Sequence, residues 1–219
     1  MKSDTGLKDE VLAELAWDPK VDAAHITLNV RDALVTLTGH VASFWQKQAA
    51  EQAVARVKGV KAVTDLTKVV LPVQVSHSDQ ELATAVVNRL AWEGAVPPGE
   101  VQVTVEGGHV TLSGTVAQAF QRDAALRAVT PLWGVLSVID EIQIAGPPPR
   151  PSDPNRIADD IRRALNRGLF AADTVHVSAQ GGTVVLSGSA ESLRDRDLAV
   201  ATAWAAPGTM TVENHIRIS

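Results

Sequence analysis

The sequence predicts an α+β protein made of three tandem αββαβ modules, each a three-stranded mixed sheet with two helices on one face. Three observations predict it. Gly39, Gly114 and Gly188 lie 75 and 74 residues apart and end one recurring phrase: Val35-Thr-Leu-Thr-Gly39, Val110-Thr-Leu-Ser-Gly114 and Val184-Val-Leu-Ser-Gly188. A second glycine follows each at 20 residues, as Gly59, Gly134 and Gly208. Around these marks the apolar pattern passes from helical spacing to alternation and back, three times in the same order. The six glycines are therefore read as structural.

The first element of each module carries apolar residues at helical spacing: Leu7, Val11, Leu12 and Leu15; Leu82, Val86 and Leu90; Ile157, Ile161 and Leu165. Asp4, Ser78 and Asp153 are read as N-caps of these helices. Alternation follows at Ile26/Leu28/Val30, Val101/Val103/Val105 and Val175/Val177, then a turn at Arg31-Asp32, Gly107-Gly108 or Gly181-Gly182. The return arm is the phrase ending in the repeated glycine, so the two arms form a hairpin with one apolar face. At the end of that strand a glycine allows a positive φ or a close backbone approach.

A second helix is expected over Ala49, Ala50, Ala53, Val54 and Val57, with its counterparts Ala124, Ala125, Ala128, Val129 and Leu132, and Leu198, Ala199, Thr202, Ala203 and Ala206. Its small residues let it lie close to a sheet, and the second glycine suits its C-terminus. A closing strand then presents Val63, Thr67 and Val69; Val138, Ile142 and Ile144; or Val212, Ile216 and Ile218. A right-handed crossover places it parallel to the return arm, with both helices on one face.

The modules are assigned to residues 4–72, 78–146 and 154–219, with a proline-rich linker at 147–153. Five prolines among the nine residues Gly146 to Pro154 make this second joint an extended spacer, so the first two modules are expected to pair while the third is held off. The chain has 219 residues and a formal net charge of −5; the modules carry −1, −5 and 0, and Lys2, Arg150 and Asp153 outside them supply the remaining +1. An acidic middle module argues against nucleic acid as a partner. With no cysteine, disulfides, thiolate chemistry and Cys-ligated metal sites are excluded. The N-terminal stretch lacks the apolar segment of an export signal, so the chain as written reads as cytoplasmic, or periplasmic if a signal has been trimmed from it.

Catalytic chemistry finds no purchase in these patterns. The six histidines fall at different offsets from the repeated glycines, and no metal-binding His-Glu-x-x-His, phosphate loop, dinucleotide glycine pattern or Gly-x-Ser-x-Gly elbow occurs. No catalytic residue, cofactor or metal is assigned. Asp65, Asp140 and Asn214 read as turn or strand-edge hydrogen bonders. A KH-like RNA-binding reading of the modules fails for want of a basic Gly-x-x-Gly loop.

The aromatic residues carry more. Trp17 and Trp92 recur at the end of the first helix, and Trp45 and Phe120 near the start of the second. One reading has them close the open end of a small core. The other makes them an interfacial patch for a membrane surface or a protein partner, accompanied by Lys47, Arg56, Arg162 and Arg163.

The run Val35-Thr-Leu-Thr-Gly39-x-Val41, the helix after it, and Gly59-Val60-x-x-Val63-x-Asp65-x-Thr67-x-Val69 resemble the BON domain. The second module matches more closely through Gly134-Val135-x-x-Val138-x-Asp140-x-Ile142-x-Ile144. The third is divergent, with Ala190 in place of Val41 and Val116, Pro207-Gly208-Thr209 in place of the Gly-Val pair, and Asn166 in place of the two tryptophans. The resemblance implies a non-catalytic protein similar to the soluble, osmotically inducible multi-BON stress proteins. It implies phospholipid or membrane-surface binding in osmotic or envelope stress. The competing reading is a soluble protein-binding scaffold or holdase.

Overall fold

The computed structural model describes residues 3–72, 77–145, 154–167, 174–180 and 182–219. The linker 147–153, Asp153 and Gly181 lie outside the described residues. Each module has the expected order of elements. In the first, α1 (Asp4–Trp17) leads to strands β1 (Ile26–Arg31) and β2 (Leu34–Val41), then α2 (Phe44–Arg56) and the short strands β3 (Ala62–Asp65) and β4 (Lys68–Val69). The second has α3 (Asp79–Ala91), β5 (Val101–Glu106), β6 (His109–Val116), α4 (Ala119–Val129) and β7 (Ser137–Ile144). The third has α5 (Pro154–Arg167), β8 (Val175–Gln180), β9 (Thr183–Ala190), α6 (Leu193–Trp204) and β10 (Thr211–Ile218).

In every sheet the strand that carries the repeated glycine is central. It pairs antiparallel with the first strand, as Ile26↔Gly39, Val101↔Gly114 and Val175↔Gly188, and parallel with the last, as Gly114↔Ile142 and Gly188↔Ile216. Asp65, Asp140 and Asn214 each use a side-chain oxygen to accept the N–H two residues ahead, at 2.8, 3.1 and 3.0 Å.

The cores follow the apolar pattern closely. Leu7, Val11, Leu15, Val35, Leu37, Ala50, Ala53 and Val54 are buried in the first module, and their counterparts are buried in the other two apart from Thr202, the half-buried equivalent of Ala53 in the third. The small-residue faces of α2 and α4 seat these helices on the sheet, while threonines such as Thr27, Thr38 and Thr104 face outward. Leu12 and Leu198 depart from expectation and are exposed, because each sits off the face its helix turns to the sheet.

One expectation at the first helices is corrected. The N-cap of α1 is Ser3, whose hydroxyl accepts the Gly6 N–H, and not Asp4. Asp4 instead reaches the hairpin: its carboxylate accepts the N–H groups of Asp32 and Ala33 at 2.9 and 3.1 Å, where the chain turns through positive φ. Asp79 treats Gly107 and Gly108 the same way, at 2.7 and 2.9 Å. Ser78 does cap α3, in a reciprocal box with Glu81.

The arrangement of modules also differs from expectation, since the third is docked on the first. Leu193 of α6 is buried within the first module's core, and Ile218 packs against the cores of both modules. The Gly59 N–H donates to the Glu191 carbonyl at 3.0 Å, and Lys58 forms an ion pair with Glu191. On its other side the first module sends Phe44 against the core of the second. The first module is thus the middle one in space. Burying a leucine favours this docking.

Candidate binding surface

Trp17 is the last residue of α1 and Trp92 caps the C-terminus of α3. Their side chains are 83% and 86% exposed, so neither closes a core. Sequence equivalence and α-helical geometry place them at the same point of the two modules. Beside Trp17 lies an open cavity of about 470 Å³ lined by Glu10, Ala13, Glu14, Val57 and Lys58.

Trp45 and Phe120, in the first turns of α2 and α4, are 40% and 57% exposed. Trp45 lines a cleft of about 680 Å³ between the first two modules, together with Ala49, Asp123, Arg127 and Pro131. Phe120 occupies the equivalent point of the second module.

The basic residues of the expected patch are turned to internal partners. Lys47 Nζ donates to the Thr67 carbonyl at 2.6 Å and stands 3.7 Å from the Asp65 carboxylate. Arg56 bridges Glu14 at 2.6 Å and Asp18 at 2.7 Å, tying α2 to the end of α1. That hydrogen bond from Arg56, with the Lys20 N–H, holds the Asp18 carboxyl below the usual carboxylate range. Arg162 joins Asp159 at 2.6 Å and donates to the Val177 carbonyl at 2.7 Å. Arg163 pairs with Asp160 at 2.5 Å on the surface of α5.

Several structural residues escaped the pattern reading. Lys47, Arg122 and Arg196 share one offset from the repeated glycines, and Arg122 Nε lies 3.4 Å from Asp140 as Lys47 lies beside Asp65. That shared offset was the available signal. Phe44 and Leu193 also share an offset, with Ala119 as their equivalent, and an apolar residue at a helix start was the clue to docking. His25 and His40 come together as stacked rings 4.5 Å apart, because the Ile26↔Gly39 pairing places them side by side. Among the described residues no group of three or more His, Cys, Asp or Glu side chains is placed to hold a metal ion. No helix there is long and apolar enough to cross a membrane.

Comparison with known proteins gives the following. The family model described as "BON domain" matches residues 3–70, 78–146 and 152–219. Osmotically-inducible protein Y of Escherichia coli is 28% identical over 144 residues, spanning 64% of this chain and 72% of that protein. Among solved structures, CdsD, a structural protein of the type III secretion system of Chlamydia trachomatis, is 17% identical with a TM-score of 0.26, covering 96% of this chain and 91% of that one. The PrgH periplasmic domain is 12% identical with a TM-score of 0.22, covering 95% and 99%.

Proposed function

The chain belongs to the BON domain family, with three copies of the domain in tandem, and from that premise we propose that it is a non-catalytic protein that associates with phospholipid surfaces under osmotic or envelope stress. The observation that carries this reading is the exposure of Trp17 and Trp92 at equivalent places. A tryptophan exposes on the order of 200 Å² when free, and its withdrawal from water is favourable by about 5 kcal/mol. Its ring, apolar with one N–H donor, suits the boundary between headgroups and acyl chains. The stress context is supported by the likeness to an osmotically inducible relative.

The internal pairing of Lys47, Arg56, Arg162 and Arg163 refines the mechanism. Attraction to anionic headgroups is then secondary, and insertion of the two aromatic rings supplies the affinity. Vesicle flotation with neutral and anionic lipids, at low and physiological salt, tests this. Binding with weak dependence on salt and lipid charge is expected, lost in the Trp17→Ala/Trp92→Ala double variant at an unchanged melting temperature. Absence of flotation with every composition refutes it. The same pairing of cations, with the net charge of −5, favours a second reading in which the tryptophans dock on a protein.

A further inference from the structure

The two contacts between modules use corresponding faces. On the donor side stands the start of the second helix: Phe44, Trp45 and Gln48 of the first module, with Gln52 lining the clefts on both sides, and Leu193, Arg196 and Asp197 of the third. The acceptor side is the far flank of the second helix with the last strand. It comprises Leu126, Arg127, Thr130 and Val138 of the second module, and Glu51, Gln52, Ala55 and Val63 of the first. Counted from the repeated glycines, the four acceptor positions coincide pairwise. The modules therefore run head to tail in the order third, first, second, and each contact is heterologous.

A head-to-tail series leaves one face of each kind at its ends. The second module retains a donor face, marked by Phe120 at 57% exposure. The third retains an acceptor face whose equivalent positions are Val200, Ala201, Trp204 and Val212, with the exposed Met210 beside them. This face is more apolar than the one the first module already uses, which carries Glu51 and Gln52.

We propose that these end faces bind each other between copies of this chain, the Phe120 end of the second module seating on the Trp204 and Met210 face of the third module of the next copy. A heterologous contact of this kind propagates, so the product is an open or ring-closed series of chains. The occupant follows from the molecule itself, which makes the same kind of contact twice within one chain.

Sedimentation velocity of the full chain from about 1 μM to about 1 mM tests the proposal, with Phe120→Asp and Met210→Asp as variants at exposed positions and circular dichroism to verify their fold. The wild-type weight-average mass is expected to at least roughly double and to pass beyond a dimer. Each variant alone remains monomeric, and an equimolar mixture forms a one-to-one dimer, because each supplies the face the other lacks. A wild-type chain monomeric throughout, or a mixture that stays monomeric, overturns the proposal. An independent readout uses the cysteine-free background: oxidised Ala117→Cys/Pro207→Cys, at the positions equivalent to Glu191 and Lys58, is expected to give a ladder of linked chains. A cross-link confined within single chains, or none, overturns it.

Discussion

A methyl group on Gly114 would stand 2.0 Å from the carbonyl oxygen of Glu100, and one on Gly39 or Gly188 would stand equally close to the carbonyl oxygen of His25 or Thr174. The obstacle is backbone, and Gly114 also has φ +126°. Gly114→Ala is expected to lower stability by more than about 3 kcal/mol, from steric overlap added to dihedral strain. Gly59, at φ +92°, faces open space. Gly59→Ala is expected to cost only about 1–2 kcal/mol. Urea unfolding of the two variants measures the difference, and equal losses contradict the assignment.

Leu193 belongs to the third module in sequence and to the first module's core in space. Leu193→Ala is expected to cost about 2–4 kcal/mol. Hydrogen exchange locates the effect: α2 of the first module loses protection along with α6. Loosening of α6 alone would show that the contact does not couple the modules.

The Arg56 bridge makes part of the stability dependent on pH. The folded pKa of Asp18 is lowered, first by Arg56 and then by the Lys20 N–H. Its stabilisation is complete above the ordinary carboxylate range and is lost as pH falls through the lowered folded value. Asp18→Asn is expected to cost about 1–2 kcal/mol near neutrality, with the difference from wild type vanishing in strong acid. Glu51 has the opposite sign: although it is exposed, partial desolvation and then the Asp65 charge raise its pKa, so its contribution is present below the ordinary value and lost as pH rises through the folded one. Denaturant titrations of Asp18→Asn and Glu51→Gln across acid pH separate the two.

Asp79 holds the turn between β5 and β6 from the start of α3. Its carboxyl is drawn below the usual range by the Gly107 N–H and then the Gly108 N–H. Asp79→Ala is expected to leave the global fold in place while amide exchange at Gly107 and Gly108 accelerates. Asp79→Asn, which keeps one acceptor oxygen, is expected to fall between the two. Unchanged exchange in the alanine variant contradicts a clamping role.

The sequence by itself determined the module and its number, the order of helices and strands, and the glycine at the crowded strand end. These follow from spacing within single elements, where a period of two or of 3.6 residues decides which side chains share a face. Tertiary structure decided the rest. Asp4 reads as a cap because its type suits one, yet its partners lie 28 and 29 residues away across the module. Lys47 and Arg56 look like free surface cations until folding brings Thr67, Glu14 and Asp18 beside them. Trp17 and Trp92 lie near helix ends in either reading, and only the path of the chain beyond them left their rings in water. The order third, first, second is not set by the period within any one element; the sequence offers only the apolar residue that Phe44 and Leu193 share at a helix start. The order arises from Leu193 and Phe44 finding apolar partners on other modules, a burial that depends on shape in three dimensions.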